Sequence, residues 1–116
     1  MSNVELKIRK MKIKRDKYLS ARGGTSKILD ISCRECKKKL FSYQKDGPGW
    51  LKRCYLNRIL DNQEIINFKD IISMPNLVCS CGEIIGTPLK HKDDRLAFRL
   101  IRGKFKRTIK KLDKLK

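Results

Sequence analysis

"KILDISCRECKKKLFSYQKDGPGW", Lys27 to Trp50, decides the fold. "KILDISC" reads as a strand entering Cys33, "KLFSYQ" reads as a strand leaving Cys36, and "KDGPG" at Lys45 to Gly49 supplies strong turn chemistry. The two strands make an antiparallel hairpin with a Cys-x-x-Cys turn at its tip. Further along, "NLVC" and "EIIGTPL" read as strands flanking a second turn that holds Cys79 and Cys81. "RLAFRLIRGKFKRTIKK" reads as a closing hairpin bent at Arg102 and Gly103. The expectation is a mainly β fold: a small zinc-stapled antiparallel sheet of hairpins with basic N- and C-terminal extensions.

Zinc takes thiolates tetrahedrally at roughly 2.3 Å, and two cysteines on one tight turn supply two corners at once. Cys33 and Cys36 have that spacing. Arg34 and Lys37 to Lys39 favour the thiolates and offset the negative charge of a metal held by four sulfurs. Cys79 and Cys81 have only one residue between them, but Gly82 permits the positive φ such a turn often needs. The predicted zinc ligands are Cys33, Cys36, Cys79 and Cys81, with Cys54 and His91 as alternative donors for one corner. Against this stands the plainer reading of reduced core cysteines or a redox pair, which two turn-borne pairs make the weaker account. Cys54, among apolar neighbours, reads as a small core residue. His91 reads as a surface residue.

The rest of the chain is less decisive. In residues 1–27, Val4, Leu6 and Ile8 alternate like a strand while Val4, Ile8 and Met11 also fit a helix, and "ARGGTS" at Ala21 to Ser26 is a break; the segment reads as a basic N-terminal arm. From Trp50 to Ile72, Leu51, Cys54, Tyr55 and Ile59 have spacings of one helical face, with strand as the alternative. Ile109, Leu112 and Leu115 recur at helical spacing at the end. The division is an arm over 1–27, a zinc-binding β domain over 28–110 and a basic tail over 111–116.

The 116 residues carry 30 Lys and Arg against 12 Asp and Glu, a formal charge of +18. Residues 1–29 hold nine basic and two acidic groups and residues 90–116 hold twelve and three, so the ends account for +7 and +9 of that total while the middle is nearly balanced. An ordinary soluble domain of this size needs only a few units of net charge. Such an excess points to a polyanion, with Lys12, Lys14, Arg15, Lys17, Arg22, Lys37, Lys38, Arg95, Arg99, Arg102, Lys104, Lys106, Arg107 and Lys110 as the candidate phosphate contacts. Along the closing hairpin these alternate with Phe98 and Phe105, so that one face is basic and the other packs inward. Tyr43 and Trp50 are candidates for stacking on unpaired bases, although aromatics beside a turn more often cap the core.

Two Cys turns joined through antiparallel hairpins resemble a zinc ribbon, but the 42 residues from 37 to 78 between Cys36 and Cys79 exceed the roughly 15 to 20 of a compact ribbon. The long gap and the further hairpin are similar to the β-tent zinc domains, over about residues 28–110. That group includes Mss4-like guanine-nucleotide-factor proteins, methionine sulfoxide reductase B and the C-terminal RNA-sensing domain of RIG-I-like receptors. The resemblance implies the fold and a structural zinc, and its members differ in function. The reductases place their catalytic Cys after the second metal turn, and no Cys follows Cys81 here. "RCYLN" at Arg53 to Asn57 precedes that turn and does not match their motif in register.

A site closed by four thiolates leaves no position for water or substrate and is structural. One His, an isolated Cys54 and mostly scattered acids supply no nucleophile with its base, so neither an enzyme nor a small-molecule substrate is expected. No apolar run is long enough to span a bilayer and the N-terminus lacks the apolar core of a secretory signal, which predicts a cytoplasmic protein without a membrane partner. With no recognition helix in view, the partner expected is nucleic acid, RNA in preference to DNA, in a ribosome or other ribonucleoprotein. The alternatives are a transcription-linked DNA-binding zinc ribbon and a protein-interaction module of the Mss4-like type.

Overall fold

The computed structural model describes residues 14, 16–24 and 26–110. Lys12, Arg15, the Val4–Leu6–Ile8 alternation with Met11, and Leu112 and Leu115 lie outside the described residues. A five-residue helix α1 (Lys17–Ala21) leads into β1 (Ser26–Cys33) and β2 (Lys39–Asp46). Then come β3 (Arg53–Tyr55), a 3-10 turn (Leu56–Arg58), a four-residue helix α2 (Gln63–Ile66), β4 (Leu77–Val78), β5 (Ile84–Lys90), β6 (Leu96–Leu100) and β7 (Phe105–Ile109).

The strands form two antiparallel sheets, ordered β2-β1-β7 and β3-β6-β5-β4. The β1–β2 hairpin and the β4–β5 pair fall where the sequence reading places them, each closing on a cysteine turn. The closing hairpin does not form. β6 pairs with β5 and β3, with Cys54 opposite Phe98, whereas β7 pairs with the far edge of β1, from Leu29 opposite Ile109 to Cys33 opposite Phe105. The bend at Arg102 and Gly103 is present, with Gly103 at φ +85° and Lys104 N–H closing the turn on the Ile101 carbonyl at 3.1 Å. It carries the chain around a corner from one sheet to the other. A short bend between two alternating runs has the same local chemistry in either case, and the difference lies in the strand partners, which are remote in sequence.

The core is the filling between the two sheets: Ile31, Phe41 and Tyr43 from one side meet Cys54, Ile85 and Phe98 from the other, with Ile59 beside Tyr43, all buried. Tyr43 is part of this core, its hydroxyl accepting the Tyr55 N–H at 2.9 Å. The helical face expected at Leu51, Cys54, Tyr55 and Ile59 is replaced by β3, a 3-10 turn and an isolated bridge of Ile59 to Tyr43. Leu51, Cys54 and Ile59 are buried, and the strand kept as the alternative is what forms at Arg53–Tyr55. An apolar spacing of three, one and four is compatible with either conformation until strand partners are known.

Within the stretch read as an arm, residues 16–24 fold onto the sheets. Asp16 caps α1, accepting from the N–H groups of Tyr18 and Leu19 at 3.1 and 3.2 Å, and Leu19 is buried. The Arg58 side chain, 1% exposed, donates through Nη1 to Asp16 at 2.9 Å and through Nε to Asp46 at 2.8 Å. Buried Gln44 clamps the backbone of Lys14, donating to its carbonyl at 2.9 Å and accepting its N–H at 2.6 Å. Each charge in this lock is paired, which is the condition for burying it.

Hydrogen bonds from Arg58 above all hold the Asp16 carboxyl at about 2, below its ordinary 3.8. A carboxyl lowered in the fold stabilises fully above the unfolded value and loses that contribution as pH falls from about 4 towards 2. Asp16→Asn is therefore expected to lower the urea midpoint clearly at pH 6 and much less at pH 2. An equal loss at both values would mean that the ion pair is not what Asp16 contributes.

Candidate functional site

The first cysteine turn closes when the Lys37 N–H donates to the Cys33 carbonyl and the Cys33 N–H donates to the Lys38 carbonyl, both at 2.9 Å. Lys37 takes φ +68° there. In the second, the Gly82 N–H donates to the Cys79 carbonyl and the Cys79 N–H to the Glu83 carbonyl, both at 2.8 Å, with Gly82 at φ +98°. Both turns close through the residue after their second cysteine, and the second does so one residue sooner. That accommodates its shorter spacing.

The four sulfurs all lie within 4.8 Å of one another. Cys33 and Cys81 are 3.7 Å apart and Cys36 and Cys79 are 3.4 Å apart, close to the ~3.8 Å edge of a tetrahedron with ~2.3 Å metal–sulfur bonds. Cys33 and Cys79 are buried while Cys36 and Cys81 face outward. The cluster could hold a metal ion, and its four soft donors fit zinc. Electrostatics agree with that fit. The Cys81 N–H lowers the Cys79 thiol to about 7. The Glu83 N–H favours the Cys81 thiolate, but burial and the three neighbouring sulfurs push that thiol up to about 12. Ionising one sulfur opposes ionising the next, and a divalent cation at the centre removes that opposition.

Cys54 and His91 lie elsewhere. Cys54 is fully buried on β3, and burial pushes its thiol well up. His91 faces Asp93 through Nδ1 at 2.8 Å and meets the edge of Tyr55.

The cluster stands at the junction of the sheets. Cys33 ends β1 and Cys36 follows it, whereas Cys79 and Cys81 sit between β4 and β5 of the second sheet. The corner after β6 is fastened to the same place: Arg34 N–H donates to the Lys104 carbonyl at 3.1 Å, and Lys104 pairs with Glu83 at 2.9 Å. A metal here closes a long loop and joins two sheets that no strand pairing connects.

The basic residues sort by their partners. Arg95 is spent internally, paired with Asp93 at 2.9 Å and sandwiched between Tyr18 and Tyr55, 3.8 and 3.9 Å from the ring centres. Lys104 holds Glu83 and Lys110 holds Asp30. Arg22 donates to the Pro48 carbonyl at 3.0 Å, Lys38 to Ser80 at 3.3 Å and Lys14 to the Asn57 carbonyl at 2.7 Å. Lys17 lies over the Tyr18 ring, and Lys37 is exposed on the first cysteine turn.

Arg99, Arg102, Lys106 and Arg107 behave differently. Together with Arg34, Lys52 and Arg53 they line one concavity of about 860 Å³ that is floored by Leu51, Leu100 and Phe105. Among the described residues none of these seven cations pairs with a carboxylate. Arg53 and Arg99 stand directly opposite in the β3–β6 register, where like charges destabilise a sheet. Lys106 and Arg107 lie on an edge strand, where charge also discourages unwanted pairing. Arg99 lies on the inner strand β6 and has no such use. Arg34, Lys52 and Arg53 were not among the phosphate contacts expected from the sequence, which took only Lys37 and Lys38 from the balanced middle.

No family model, curated protein or solved structure matches the chain. No helix among the described residues is long and apolar enough to cross a membrane.

Proposed function

We propose that this is a structural zinc protein that binds nucleic acid, RNA in preference to DNA, as part of a ribonucleoprotein or ribosome-associated assembly. The observation that carries the reading is the groove of seven cations that pair with no carboxylate among the described residues, because a cluster of like charge without acids is stabilised by a polyanion and costs stability without one. Zinc is the metal best suited to four thiolates in a structural role, and it works here by joining the sheets that form the groove's two walls. We read the site as a binding surface and not a catalytic one, and its thiolates need a reducing compartment such as the cytoplasm. The preference for RNA rests on the described helices, which at five and four residues are too short for a helix laid in a DNA major groove.

Fluorescence anisotropy with single-stranded RNA, a structured RNA and duplex DNA, each at several salt concentrations, tests the proposal. Tighter, steeply salt-dependent binding to RNA is expected. Tighter binding to duplex DNA would favour a DNA-binding ribbon. Absence of binding, with a protein partner retained through nuclease treatment, would favour an interaction module.

A further inference from the structure

We infer that the groove takes a single-stranded segment and that Trp50 is the platform on which one unpaired base stacks. This rests on the nucleic-acid reading above and specifies which form of the polymer is bound. Trp50 is 81% exposed, so it does not cap the core, and it stands on the lip of the basic groove. An exposed tryptophan alone would mean little. This one adjoins a phosphate-attracting surface, and its ring is held by one cation: the Arg107 guanidinium lies 5.4 Å from the ring centre.

The neighbouring aromatics are already engaged. Tyr43 is in the core, and Tyr18 and Tyr55 enclose Arg95. A second, smaller concavity, of about 410 Å³, also borders the Trp50–Arg53 segment and shares those four residues with the groove. A strand crossing Trp50 therefore meets cations in both concavities, Arg99 and Arg107 in one and Arg22 and Lys45 in the other.

The turn that carries the platform is also fixed before any ligand arrives. Trp50 follows the Gly47–Pro48–Gly49 turn, in which the Pro48 carbonyl accepts from Arg22 at 3.0 Å and the Gly47 carbonyl accepts from Lys45 Nζ at 2.8 Å. Gly47 and Gly49 take φ +70° and +108°. At Gly47 a Cβ would stand 2.6 Å from the Arg22 carbonyl oxygen, so the close approach of turn and helix end requires glycine there. A preorganised aromatic beside a basic track stacks on a base of any sequence, but only where its face is free. Paired bases in a duplex present no free face.

Trp50 is the sole tryptophan, so intrinsic fluorescence reports this site alone. The full chain is titrated with a single-stranded RNA decamer, a ten-base-pair RNA duplex and inorganic polyphosphate, which has charge but no bases. The decamer is expected to quench Trp50 and bind most tightly. Trp50→Ala, shown to keep its metal and far-ultraviolet dichroism, should weaken decamer binding by about 5- to 100-fold with the salt slope unchanged, and Trp50→Phe should restore most of it. Equal quenching by duplex and polyphosphate, or an unchanged decamer affinity in Trp50→Ala, overturns the stacking role while leaving nucleic-acid binding in place. Binding to polyphosphate but to neither nucleic acid overturns both.

Discussion

Cys33→Ser is expected to lose the metal and, with it, most of the folded state. The four sulfurs form a closed set, and a serine hydroxyl replaces a soft anionic donor with a poor neutral one. Binding free energy at such sites is folding free energy, on the order of 10 kcal/mol. That is comparable to the whole stability of a domain this size. Cys33 stands where β1, the β4–β5 turn and the corner after β6 converge, so no part of the two-sheet arrangement is far from the loss. Cys54→Ser, by contrast, should keep one metal per chain and lose only about 1–3 kcal/mol for a hydroxyl left in the core. Elemental analysis with thermal unfolding separates the two. Metal lost from Cys54→Ser and retained by Cys33→Ser would show that the ligand set is wrong.

Replacing Arg53, Arg99, Arg102 and Arg107 together with Gln is the second large effect expected. If each touches a phosphate, log affinity for single-stranded RNA against log salt should flatten by up to about 3 units, at roughly 0.7 per contact. Affinity at low salt should fall with it. Because among the described residues these side chains carry no ion pair, their loss should leave metal content intact and relieve the Arg53–Arg99 opposition, so thermal stability should hold or rise. An unchanged slope in a folded variant would mean that the groove does not meet phosphates.

The contrast between these residues and the rest shows what the sequence could convey. Strands β1, β2, β4 and β5 were legible because each is a short run rich in strand-forming residues next to a cysteine turn, and turns are decided by neighbours in sequence. Gly82 announced its own positive φ in the same way. The corner at Gly103 was not legible as a corner, since the choice between hairpin and sheet change depends on whether β7 finds β6 or β1, and β1 lies some seventy residues earlier. The Arg58 lock draws on Asp16 and Asp46, again brought together only by the fold.

Charge behaved similarly. Counting by region assigned the excess to the ends and treated the middle as balanced, yet Arg34, Lys52 and Arg53 come from that middle and line the groove. Several of the acids that balance them in the count are engaged elsewhere: Asp46 faces Arg58, Asp61 faces Lys39, and Glu83 faces Lys104. A surface is made charged by where its counterions are absent, which a tally along the chain does not register.

If a metal makes the groove by holding the two sheets together, then the folded groove, not merely a chain of charge +18, binds RNA. The direct measurement is to strip the metal with a chelator and then restore zinc stepwise, following far-ultraviolet dichroism and anisotropy of a bound single-stranded RNA in the same samples. Fold and tight binding are expected to return together and to saturate at one zinc per chain. Full affinity with an unchanged salt slope in the unfolded, metal-free chain would contradict the claim, because charge alone would then account for the binding.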